Sequence, residues 1–127
     1  MKRIPCDLFG KGEQLYFNIT RLAEFEKALG QPIYAALTSG FSIGALLNGY
    51  EIGLRQYGRR SEQFYADKMQ EMLDDGTCVL TDFLLPINKA IIGSGILGKK
   101  IYFQTFPEEA TEEDKDEIKA EEELEKN

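Results

Sequence analysis

Apolar and polar positions alternate over residues 15–19, where Leu15, Phe17 and Ile19 are separated by Tyr16 and Asn18. Period two is the signature of a half-buried strand. The spacing then changes. Leu22, Phe25, Ala28 and Leu29 recur at three and four residues, with Arg21, Glu24, Glu26 and Lys27 between them, which predicts an amphipathic helix. Thr20 is a candidate N-cap, and Gly30 is the residue expected just past the end, because glycine reaches the left-handed conformation at little cost. Upstream, residues 3–9 read as a strand with Pro5 at its start or on an edge, and Gly10-Lys11-Gly12-Glu13 as the turn of a hairpin.

Beyond Gly30 the helical period dominates. Pro32 suits a helix start, which predicts a short helix over residues 32–37 with Ile33, Ala36 and Leu37 inward. Ser42 opens the strongest pattern, with Ile43, Leu46, Leu47, Tyr50, Leu54 and Tyr57 as its stripe. Gly44, Gly49 and Gly53 lie in or beside it. Each either admits a closely approaching backbone or partner, or weakens the helix by about 1 kcal/mol relative to alanine. Ser61 caps a further helix ending at Asp74-Asp75-Gly76, with Phe64, Tyr65, Met69, Met72 and Leu73 inward. Residues 77–92 carry Val79, Leu80, Phe83, Leu84, Ile87 and Ile91; a helix starting at Thr81-Asp82 would be kinked or interrupted by Pro86. Gly93-Ser94-Gly95 and Gly98 mark a hinge, and residues 99–106 (KKIYFQTF) alternate weakly, as a strand or a partner-docked segment.

The expectation is therefore an α+β, mainly α fold: an N-terminal β-hairpin packed on a bundle of four to five short helices. The expected division is a globular domain over 1–98, the segment 99–106, and a flexible tail over 107–127. That tail holds 11 acidic and 3 basic residues, a charge of −8, while the other 106 residues hold 11 acidic and 12 basic, a charge of +1. The net charge of −7 is thus a property of the tail, expected to be disordered and at most transiently helical; Thr111 to Asp114 resembles a capping box. A near-neutral body lacks the field of a non-specific nucleic-acid binder.

Candidate chemistry is sparse. The chain has no histidine, which removes the commonest general base and the commonest zinc ligand. The two cysteines, Cys6 and Cys78, are expected as thiols in a reducing compartment. Gly93, Gly95 and Gly98 lack a phosphate-loop context, and Asp74-Asp75 reads as a helix terminus rather than a metal site. Arg55, Arg59 and Arg60 form a basic cluster that serves either an anionic partner or simply the helix end. No segment is long and apolar enough to span a bilayer, and the N-terminus has no secretory signal, so a cytoplasmic protein without enzymatic activity, cofactor or metal is expected.

The order of features resembles the small tail-assembly proteins of long-tailed phages and gene transfer agents. The residues that carry the resemblance are Pro5-Cys6-Asp7-Leu8, Gly10-Lys11, residues 15–19, Leu22, Phe25-Glu26, Leu29-Gly30, Ile33, Leu46-Leu47 and Gly53-Leu54. It covers about residues 3–92; the glycine-rich stretch and acidic tail are additions to it. The resemblance implies a non-enzymatic assembly chaperone of the bacterial host cytoplasm. Its partner would be the tape-measure protein, with the tube protein as a further partner, and it would act with or without self-association. Partner contacts are then expected from Leu46, Leu47, Tyr50, Leu54, Tyr57, Ile101, Tyr102 and Phe103, the helical ones being core positions on the alternative reading. The rival expectations are a structural tail-tube or connector subunit, and a small regulator that binds nucleic acid through the arginine cluster.

Overall fold

In the computed structural model, which describes residues 2–125, Ile4 stands opposite Leu15 and Pro5 opposite Gln14 in an antiparallel pair. The two strands, β1 (Ile4–Pro5) and β2 (Gln14–Leu15), are shorter than the alternating pattern suggested. Pairing continues for one more bond, from the Cys6 N–H to the Glu13 carbonyl at 2.8 Å, and Asp7 closes the turn by accepting the Gly12 N–H at 2.8 Å. The alternation does not run to Ile19, because Asn18 caps the next helix through a 2.8 Å bond from the Arg21 N–H. Helix α1 (Ile19–Leu29) therefore begins before the expected Thr20 cap, and Ile19 is left exposed on its first turn. Gly30 ends the helix at φ 68°, as its position suggested.

Four more helices complete this part of the chain: α2 (Ile33–Ser39), α3 (Ile43–Gly53), α4 (Glu62–Asp74) and α5 (Leu80–Gly93). Ser42 and Ser61 cap α3 and α4 by accepting the Ala45 and Phe64 N–H groups, each at 3.1 Å. Helix α5 starts at Leu80, where the Asp82 carboxylate accepts the Val79 N–H at 2.8 Å. It runs through Pro86 without interruption. The carbonyl that loses its donor there belongs to Asp82, which is exposed, so water can satisfy it. The architecture is α+β, mainly α, with the N-terminal hairpin against the helices.

Aromatic rings and β-branched side chains fill the core: Tyr50, Tyr65, Phe17, Phe25, Phe83, Ile87 and Ile91 are all fully buried. Phe9 meets Tyr50 and Tyr65 edge-on, with centroids 4.8 and 4.9 Å away, which is a favoured aromatic geometry. The glycines of α3 are explained by close approach. A Cβ on Gly49 would meet Phe25 and Ile87 at 3.1 Å, and one on Gly53 would lie 2.6 Å from Leu15. The approaching groups are side chains of this same chain. A Cβ on Gly44 would make only an ordinary contact, 3.9 Å from the Ser42 hydroxyl, so close approach does not explain it.

The chain divides into two compact units, Met1–Ser94 and Gly95–Asn127, so the boundary falls inside the glycine-rich stretch rather than after residue 98. The second unit is helical in its described residues. The segment expected as a strand or docked peptide is helix α6 (Lys99–Thr105), which brings Tyr102 against Phe106, one turn on, with ring centroids 5.0 Å apart. After a 3-10 turn at Pro107–Glu109, where a flexible tail was expected, the described residues form helix α7 (Glu112–Glu125). Two local causes favour it. The Thr111 hydroxyl accepts the Asp114 N–H at 3.1 Å while Asp114 accepts the Thr111 N–H at 3.0 Å, a reciprocal cap. Lys99 lies 3.1 Å from Glu117, and Lys100 lies 3.5 Å from Glu125. Among the described residues no helix is long and apolar enough to cross a membrane.

Candidate partner-docking groove

An apolar groove of about 190 Å³ opens between α3, α4 and α5. Local sequence places each wall. Ser42 starts α3 so that Ile43 projects at the first turn and Leu47 one turn later. Ser61 sets the phase of α4, which brings Ala66, Met69, Gln70 and Leu73 onto one face. The Asp74-Asp75-Gly76 stop then reverses the chain: Gly76 takes φ 76°, Asp75 accepts the Thr77 N–H at 2.8 Å, and the Cys78 N–H reaches back to the Met72 carbonyl at 3.1 Å. This turn delivers Leu80 to the third wall, with Phe83 as the buried floor.

The groove mouth is apolar and open to solvent. Ile43 is 61% exposed, Leu73 42% and Leu80 50%, although each belongs to a stripe or run predicted to face inward. Leaving three large aliphatic side chains half exposed around one concavity forgoes part of the roughly 1.5–3 kcal/mol that full burial of each would bring. Single exposed apolar residues are ordinary; here three are grouped around one concavity. No charged side chain lines the groove; Gln70 is its one polar member.

The positions expected to contact a partner are dispersed by the structure. Leu46, Tyr50 and Leu54 are corrected to core residues, each at most 1% exposed, because α3 and its C-cap pack into the chain's own interior, with α3 against α1, α4 and α5. Tyr50 donates its hydroxyl to the Phe83 carbonyl inside the core. Leu47 alone of that set reaches the groove. Tyr57 lies in a 3-10 turn (Arg55–Tyr57), where its hydroxyl accepts the Gln14 N–H at 2.9 Å and braces the hairpin. Ile101, Tyr102 and Phe103 lie on α6 in the second unit. Leu73 and Leu80 lie outside the expected partner contacts. The available signal was Val79-Leu80, an apolar pair directly after a glycine turn and ahead of the first fully buried turn of α5.

The arginine cluster is largely committed within the chain. Arg55 grips Glu24 at 2.5 Å and Glu51 at 3.1 Å, which holds the guanidinium pKa up and the Glu24 carboxyl below the usual range. Arg60 forks onto Glu13 at 2.7 and 3.2 Å. Arg59 is exposed. Cys6 and Cys78 are buried free thiols beside one cleft with Met72. Burial pushes the Cys6 thiol from an ordinary 9.0 to about 11, so it is neither a ready nucleophile nor a ready metal ligand near neutral pH. Asp74 and Asp75, the acidic pair, accept from the Gln70 side chain and the Thr77 backbone, as a helix terminus does.

A scan against protein-family models, a search of curated proteins and a search of solved structures each find no match to this chain.

Proposed function

We propose that this protein is a non-enzymatic assembly chaperone that docks an amphipathic helix of a larger partner in the α3–α4–α5 groove. The observation that carries the reading is the exposure of Ile43, Leu73 and Leu80 around the buried ring of Phe83. Helix-in-groove recognition uses such a surface, with partner side chains at i, i+3, i+4 and i+7 as anchors. The resemblance to phage tail-assembly proteins supports the choice of partner, a long tape-measure protein that needs shielding before tube subunits enclose it. The pairing of Arg55 and Arg60 with Glu24, Glu51 and Glu13 weighs against the nucleic-acid regulator.

The test is affinity capture from the producing cell with the tagged full chain, read by mass spectrometry, beside the variants Leu73→Asn and Leu80→Gln. Both substitutions are at open positions and leave the charge unchanged. The reading expects a very long, helix-rich tail protein with the native chain and its loss with either variant. Equal recovery with all three chains, or recovery of the chain alone, overturns it.

A further inference from the structure

We infer that the helix the groove accepts is a basic one, with an apolar stripe flanked by lysine or arginine. This rests on the docking reading above and adds the partner's chemistry to it. The argument comes from the charge beside the groove. Residues 66, 69, 70 and 73 of α4 line it. On an α-helix, positions 67 and 74 then lie along its solvent edge and position 62 at its N-terminal end. Those positions are Glu62, Asp67 and Asp74, all exposed. Asp67 and Asp74 accept from the neutral amides of Gln63 and Gln70, at 2.7 and 2.8 Å, and these bonds leave their charge unneutralised.

Among the described residues of α3, α4 and α5, no basic side chain pairs with Asp67 or Asp74; Arg60, which precedes Glu62, is held by Glu13 at 2.7 Å. Helix α3 contains neither lysine nor arginine. The one basic residue of α4, Lys68, is about 100° further round than Asp67, with its ammonium over the Phe64 ring at 5.9 Å. The one basic residue of α5, Lys89, lines a different cleft with Ile4, Pro5 and Pro86. An apolar floor with a single-sign edge selects partners by charge as well as by shape: an acidic flank meets like charge, and a basic flank is attracted.

The test uses two synthetic helical peptides of about 18 residues, long enough for several turns. Both carry the same leucine stripe; one is flanked by lysine and the other by glutamate. Each is titrated into the full chain and followed by fluorescence anisotropy. The lysine peptide is expected to bind about tenfold more tightly, given several exposed charge pairs each of modest strength. The gap should narrow at about 0.5 M salt. It should reverse in the Asp67→Lys/Asp74→Lys double variant.

Leu73→Asn and Leu80→Gln separate the groove from the acidic second unit, since neither alters charge. Each should weaken the lysine peptide at least fivefold in a chain whose melting is unchanged. Undiminished binding in both overturns the proposal by placing the peptide elsewhere. Equal affinity for the two peptides overturns the basic-helix proposal and leaves groove docking standing. No binding of either peptide removes the docking reading along with it.

Discussion

The Tyr50 hydroxyl donates to the backbone carbonyl of Phe83, joining the middle of α3 to the first turn of α5 inside the core. Tyr50 is fully buried, and burial pushes its phenol well above the ordinary range, so it acts as a fixed donor at any physiological pH. The bond fixes the spacing of two helices that wall the groove. Tyr50→Phe keeps the ring and leaves the carbonyl without that donor. It should lower stability by about 1–3 kcal/mol, seen as a reduced urea midpoint with an unchanged slope. An unaltered midpoint would show that the bond adds nothing.

Two glycines of α3 should respond in opposite directions. Gly53→Ala drives a methyl to within 2.6 Å of Leu15 and 3.1 Å of Phe17, and overpacking of this kind costs about 1–3 kcal/mol. A methyl at Gly44, in the first turn, meets only the Ser42 hydroxyl at an ordinary 3.9 Å, so Gly44→Ala should stabilise by up to about 1 kcal/mol through helix propensity. Denaturant titration of both variants checks the pair, and a shared sign contradicts the packing account.

Stability should also fall in alkali because of Cys6. Its thiol ionises near 9.0 in an unfolded chain and at about 11 in the folded one. Between those values the unfolded state binds fewer protons, so the unfolding free energy declines as pH rises through this window and is unaffected below it. Cys6→Ala should flatten part of the decline between pH 9 and 11. The buried phenols of Tyr50 and Tyr65 add their own alkaline loss and leave the rest. A decline of the same size in Cys6→Ala would assign it to those phenols.

Much of the fold was legible because local chemistry and tertiary packing agree. Ser42, Ser61 and Gly30 bound their helices where the pattern placed them. Legibility failed where two signals competed. The period-two run through Ile19 gave way to the Asn18 cap, which ended the strand four residues early and left Ile19 exposed. The α3 stripe was incomplete for a different reason. Ala45, Gly49 and Gly53 are buried beside Leu46 and Tyr50, and small residues carry too little hydrophobicity to reveal how far the buried face extends. In residues 99–106 the weak alternation hid the Tyr102–Phe106 contact, one helical turn apart. The groove itself was the least legible feature. Its members lie on three helices, and a one-helix pattern assigns Leu73 inward without showing where the neighbouring helix ends.

Helix α7 should depend on charge. Lys99 pairs with Asp114 and Glu117, and Lys100 with Glu122 and Glu125. Lys99→Glu/Lys100→Glu replaces these attractions with repulsion. Far-UV circular dichroism should lose ellipticity equivalent to at most the 14 residues of α7, with partial recovery in high salt as screening shortens to a few ångströms. Unchanged ellipticity would mean that α7 stands on its Thr111–Asp114 cap and intrinsic propensity alone.

The central claim is a transient shielding role, and it is tested most directly by following the chain from the partner's synthesis to the finished particle. The partner recovered by affinity capture is expressed with and without this protein, and finished particles are assayed for the chain by mass spectrometry. The account predicts that the partner stays soluble only with the native chain, aggregates with Leu73→Asn/Leu80→Gln, and that purified particles lack the chain. Many copies of the chain per particle, or a partner equally soluble without it, would contradict the chaperone role and identify a structural subunit or an unrelated binder instead.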